Sequence, residues 1–83
     1  MTEDFGVISS LIVKGKPEYL EAITSKISAI NGAEIAVTDP CGKIVVVLEA
    51  ESDHDLADTM KLIGEFPEVL SVNMVFHHSE AAN

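Results

Sequence analysis

From Lys43 to Glu51 the chain reads KIVVVLEAE, with five consecutive apolar residues from Ile44 to Leu48. A strand with one wet face alternates, because successive side chains point to opposite sides. Here both sides are apolar, and in a short chain the second side has few possible covers. Upstream, FGVISSLIV (5–13) is rich in β-branched residues, stops before KGKP, and predicts a first strand. Pro17 suits the first position of a helix. Leu20, Ile23, Ile27 and Ile30 then recur at three- and four-residue spacing, which predicts one apolar helical stripe. Asn31-Gly32 closes that helix with a residue free to turn left-handed. AEIAVT (33–38) predicts a second strand, and DPCG (39–42) a tight turn into the third.

Ser52, with Asp55 three residues later, has the spacing of a helix cap, and Asp53 and Asp55 suit the positive end of a helix dipole. Leu56, Met60, Ile63 and Phe66 form a second stripe, which Pro67 ends. VLSVNMVFH (69–77) predicts the last strand. The order is strand, helix, strand, turn, strand, helix, strand. With right-handed crossovers it predicts an α+β ferredoxin-like βαββαβ sandwich. The four-stranded antiparallel sheet would have the first and third strands in the centre and both helices on one face. The chain is expected to be a single domain over 1–83, with an ordered core of about 5–78 and a tail at 79–83.

Period-two parity then sorts the strands. In the third, Ile44, Val46, Leu48 and Ala50 point to the helices, leaving Lys43, Val45, Val47, Glu49 and Glu51 on the open side. In the fourth, Leu70, Val72, Met74 and Phe76 point inward, leaving Val69, Ser71, Asn73, Val75 and His77 open. In the second, Ile35 and Val37 point inward, with Glu34, Ala36 and Thr38 outward. The first strand is nearly balanced; the slightly more apolar row Val7, Ser9, Leu11, Val13 is assigned inward, leaving Gly6, Ile8, Ser10 and Ile12 open. The open face therefore carries Ile8, Ile12, Ala36, Val45, Val47 and Val75, bordered by Glu34, Glu49 and Glu51. Soluble monomers seldom leave such a rimmed apolar patch bare, so it is expected to be a docking site.

Composition narrows what docks. Eighty-three residues bury about 60–65% of their unfolded surface, which leaves no room for a deep enclosed active site. Fourteen Asp and Glu oppose five Lys and no Arg, for a net charge of −9, so a nucleic-acid partner is not expected, and the charge either suits a cationic partner or serves solubility alone. The opening MTEDFGVISS lacks a basic segment and an apolar core, so no secretory leader is expected. No apolar run approaches a membrane span, and the lone Cys41 fits a reducing compartment; a cytoplasmic protein without membrane insertion is expected. His77 and His78 are neighbours on a strand and point apart, with His54 and Cys41 remote, so no metal or other cofactor is expected. Cys41 has no cationic neighbour to activate it, and the carboxylates are scattered, so no enzyme is expected.

ISSLIVKGKPE, GAEIAVTDPCGKIVVVLEAE and VLSVNMVFHHSE together resemble the NapD family over about Phe5 to Glu80, with Phe76 where the family pattern often has Tyr. The resemblance implies a ferredoxin-like fold and a cytoplasmic assembly chaperone. It implies that the partner is the twin-arginine signal peptide of NapA, the catalytic subunit of periplasmic nitrate reductase, held back from export until its molybdopterin cofactor is in place. Such a peptide has a basic segment followed by an apolar stretch and can be helical when bound. Joined to the parity reading, this makes Ile8, Ile12, Ala36, Val45, Val47 and Val75 the apolar platform and Glu34 and Glu49 the guanidinium partners. Glu51 and Asp39 are further acceptors, and Ser10 and Asn73 supply hydrogen bonds. The chain is expected to act as a monomer. The competing readings are a small-molecule regulatory domain of the ACT type and a homodimer joined through the open face.

Overall fold

The computed structural model describes residues 6–79, with side chains through Phe76. Expectations placed on Phe5, on the side chains of His77 and His78, and on the tail from Glu80 lie outside the described residues. Strand β1 (Val7–Gly15) is followed by a 3-10 turn over Pro17–Tyr19, helix α1 (Leu20–Ser28), strands β2 (Ala33–Asp39) and β3 (Lys43–Ala50), helix α2 (Asp53–Gly64) and strand β4 (Val69–Ser79). The sheet order is β2-β3-β1-β4 with all pairs antiparallel, so β1 and β3 lie in the centre as the element order requires. This is the ferredoxin-like α+β arrangement.

Local chemistry sets the element ends. Pro17 initiates only a 3-10 turn, closed by the Tyr19 amide donating to the Lys16 carbonyl at 2.9 Å, and α1 proper starts at Leu20. The Ser52 hydroxyl accepts from the Asp55 amide at 3.1 Å and caps α2, with Asp53 and Asp55 in the positive first turn. Gly32 and Gly42 take positive φ of 89° and 105°. At Gly32 a Cβ would run into the Glu49 carbonyl, so only glycine lets the α1–β2 connection lie against β3.

Both helices cover the same side of the sheet. Ile23 and Ile27 of α1 and Leu56 and Ile63 of α2 join Val7, Leu11, Val13, Ile44, Val46 and Leu48 in one buried cluster. Leu20, Ile30, Met60 and Phe66 complete the two stripes at its margin. Each buried aliphatic side chain contributes roughly 1.5–3 kcal/mol, which makes this the stabilising core.

The two edge strands depart from simple alternation. In β2 the pairing steps from Ile35–Val46 to Val37–Val45, so Ala36 is an extra, bulged residue. A bulge places two residues opposite one and reverses parity beyond it. Val37, expected beneath the helices, instead shares a face with Val45 and is 59% exposed. Thr38, expected on the open side, pairs with buried Ile44 instead.

In β4 the pairing steps from Ser10–Phe76 to Leu11–Met74, and from Lys14–Ser71 to Gly15–Val69, so Val75 and Leu70 are both bulged. Phe76, expected inward, lies across from Ser10 on the open side and is 54% exposed. Leu70, also expected inward, is exposed, while Val69, expected outward, packs against the core. Val72 packs on the core as expected, and Met74, aligned with Leu11, stays 44% exposed. The strand also runs two residues beyond the expected end at 77.

Candidate docking face

Paired residues in an antiparallel ladder share a face, so the register gives the layout of the helix-free side. Four rows cross the sheet. The first joins Glu49 to Ile8. The second runs Glu34, Val47, Ser10, Phe76. The third runs Val37, Val45, Ile12, Asn73, and the fourth Asp39, Lys43, Lys14, Ser71. None of these residues belongs to the core cluster under the helices.

Eight of the ten residues singled out in the sequence therefore stand in the first three rows: Ile8, Ser10, Ile12, Glu34, Val45, Val47, Glu49 and Asn73. The other two, Ala36 and Val75, are exposed but sit in the bulges of the opposite edge strands. Alternation alone missed Val37 and Phe76, which the bulges turn onto this face. A weak local sign exists: IAV (35–37) and MVF (74–76) are runs of consecutive apolar residues in edge strands, where either parity can be satisfied. The longer run in β3 carries no bulge, so the sign is not specific.

The centre is aliphatic and half-buried by its own neighbours: Ile12, Val45 and Val47 are partly covered, while Ile8 is exposed. At one corner Gly32, Ala33, Glu34, Val47 and Glu49 line an open depression of about 310 Å³. The Glu49 amide donates to the Gly32 carbonyl at 2.8 Å, which draws the α1–β2 turn against the end of β3 and forms the wall of that depression. A carboxylate pair next to apolar side chains is the kind of chemistry that suits a guanidinium on an alkyl stem.

Asp39 is not part of this corner. It lies in the fourth row, across from Lys43. Hydrogen bonds from Cys41 hold its carboxyl below the ordinary value of 3.8, with the Cys41 amide donating to Oδ1 at 2.9 Å; Lys43 adds a smaller favourable charge. Asp39 thus shapes the β2–β3 turn. Among the described residues, no three His, Cys, Asp or Glu side chains are grouped to hold a metal ion, and no helix is long and apolar enough to cross a membrane.

Comparison with known proteins points in one direction. A family model described as NapD protein matches residues 7–81. Chaperone NapD of Escherichia coli K12 is 36% identical over 74 residues, 88% of this chain and 85% of that one. Chaperone NapD of Haemophilus influenzae is 34% identical over 77 residues, 92% of this chain and 83% of that one. The solution structure of the E. coli Tat proofreading chaperone protein NapD superposes with a TM-score of 0.80 at 35% identity, covering 92% of this chain and 81% of that chain. A transcriptional regulatory protein of the AsnC family from Pyrococcus furiosus shares the fold alone, with a TM-score of 0.71 at 19% identity over 83% of this chain and 49% of that one.

Proposed function

This chain belongs to the NapD family, and we propose that its open sheet face holds the twin-arginine signal peptide of NapA, the catalytic subunit of a periplasmic nitrate reductase. The chain is a chaperone and not an enzyme. In the proposed cycle it works in the cytoplasm as a monomer, covering the peptide until the subunit is ready for export. The observation that carries this reading is the helix-free face itself: an aliphatic floor of Ile8, Ile12, Val37, Val45 and Val47 with a two-carboxylate depression at one corner.

A basic and apolar peptide matches both parts. Burying about five such side chains contributes roughly 5–10 kcal/mol before ordering costs are subtracted. Glu34 and Glu49 add bidentate, charge-assisted hydrogen bonds to arginine, which lysine would reproduce less well. Phe76 walls the face on the β4 side and Val37 on the β2 side, with Ala36 and Val75 at the margins. Ser10 and Asn73 lie between them and can hydrogen-bond polar atoms of the guest.

Titrating the isotope-labelled protein with a synthetic peptide of two adjacent arginines and an apolar stretch tests this. Amide shifts are expected at Ile8, Ser10, Ile12, Val45 and Val47, and affinity is expected to fall as salt rises because the corner carboxylates stay exposed. Val47→Lys is expected to weaken binding at least about tenfold by setting a positive charge into the apolar floor beside the arginine corner. Equal binding by that variant, shifts confined to the helical side, or a face already covered by a second copy in sedimentation would overturn the proposal.

A further inference from the structure

The open face is electrically lopsided along the strands, and this sets a direction for whatever lies on it. The carboxylates Glu34 and Glu49 occupy the first two rows, while Lys43 and Lys14 stand directly opposite each other in the fourth. Like charges directly opposed across a ladder destabilise the sheet. Two of the chain's five lysines nonetheless meet there, and both are exposed. Asp39 faces Lys43 from the edge and offsets one of the two charges; Ser71, beyond Lys14, offsets none. Neither lysine forms a salt bridge among the described residues.

We propose that the Lys14–Lys43 pair receives the carboxyl-terminal end of a bound peptide helix, so that the peptide runs from the Glu34–Glu49 corner toward the lysines, parallel to β1 and antiparallel to β3. The inference rests on the signal-peptide reading above and adds an orientation to it. A helix ends in four carbonyls without internal partners and about half a negative charge. Lysine ammonium groups near that end hydrogen-bond the carbonyls and complement the charge. A guest whose basic residues precede its apolar stretch places its arginines at the carboxylates and its helix end at the lysines. The reverse orientation would set arginines against lysines and carbonyls against carboxylates.

The dimensions agree. Glu49 lies six residue steps from Lys43, about 20 Å at 3.3 Å per step. A helix of about 13 residues at 1.5 Å each spans the same distance. The proposal therefore requires an apolar helical stretch of about 13 residues after the arginines.

The chain's single cysteine makes the test direct. Cys41 is exposed in the β2–β3 turn, two residues from Lys43, and takes a nitroxide label without any substitution. The guest is an isotope-labelled synthetic peptide with two arginines followed by 13 mostly apolar residues. Its carboxyl-terminal amide signals are expected to broaden out, while those beside the arginines persist. Loss at the arginine end, or equal loss at both ends, overturns the orientation. As a second arm, Lys14→Glu/Lys43→Glu is compared with the native chain at 0.15 M salt, where charges 20 Å apart are screened by a Debye length of about 8 Å. The double variant is expected to bind about three- to tenfold more weakly. Unchanged or tighter binding overturns the proposal, since a cationic guest lying the other way gains from added carboxylates. Should the amide shifts avoid the open face, or Val47→Lys bind normally, it is the docking site that fails. Shifts on the face with reversed broadening reject the direction alone.

Discussion

Val46 and its neighbours Val45 and Val47 are the same side chain on the same strand, yet their surroundings are opposite. Val46 is fully buried in the cluster beneath α1 and α2, whereas Val45 and Val47 stand half-covered on the helix-free side. The helix side is filled from both layers and needs nothing further. The open side has an aliphatic floor of similar chemistry with no second layer from this chain among the described residues. One face of the sheet therefore stores stability, and in the proposed reading the other offers the same kind of free energy to a guest.

The sharpest way to break this contrast is to charge each face in turn. Val46→Asp buries an unpaired carboxylate and is expected to cost more than about 4 kcal/mol, leaving little folded protein by circular dichroism. Val47→Lys, on the open face, is expected to shift urea stability by less than about 1 kcal/mol while impairing peptide binding. Equal destabilisation by the two would mean that the faces do not differ.

Phe76 offers a finer test. Strict alternation through β4 would place its ring under the helices, where truncation to alanine costs about 3–5 kcal/mol. The bulge at Val75 turns it to the open side across from Ser10. Phe76→Ala is therefore expected to change stability by less than about 1.5 kcal/mol and to weaken peptide binding by about tenfold. A large loss of stability in urea would put the ring back in the core.

The smallest effect belongs to the margin of the helix side. Lys26 Nζ lies 2.8 Å from Glu68 Oε1 and 5.4 Å from the Phe66 ring centroid, tying α1 to the start of β4. The hydrogen bond from Lys26 holds the Glu68 carboxyl below its ordinary value of 4.5. A carboxylate with a lowered folded value stabilises above the unfolded value and loses that contribution as pH falls through the folded one. Glu68→Gln is thus expected to lower the melting temperature slightly at neutral pH. The difference from the native chain should vanish in acid, and a difference that persisted there would assign it to packing.

Much of this architecture is legible in residue order. Ser52 and Asp55 do make the expected cap, Gly32 makes the expected left-handed turn, and the two stripes at three- and four-residue spacing bury Ile23, Ile27, Leu56 and Ile63. These features depend on residues close in sequence, whose spacing is the structure. The central strands are legible for a related reason. Each of β1 and β3 is paired on both sides, and neither carries an extra residue, so period-two parity survives along their whole length.

The edges are a different matter. LSVNMVF reads as an alternating strand, and nothing local shows that Leu70 and Val75 fall out of step with β1. A bulge depends on how two distant segments meet, and its effect is to invert every side chain beyond it. The residues of this chain alone thus determined the element order, the core stripes and the faces of β3, while in β1 a nearly even balance only leaned toward the faces found. Only the assembled sheet decided that Val37 and Phe76 join the open face, that Asp39 stands apart from Glu34 and Glu49, and that Lys14 meets Lys43, because register is a contact between segments and no single segment contains it.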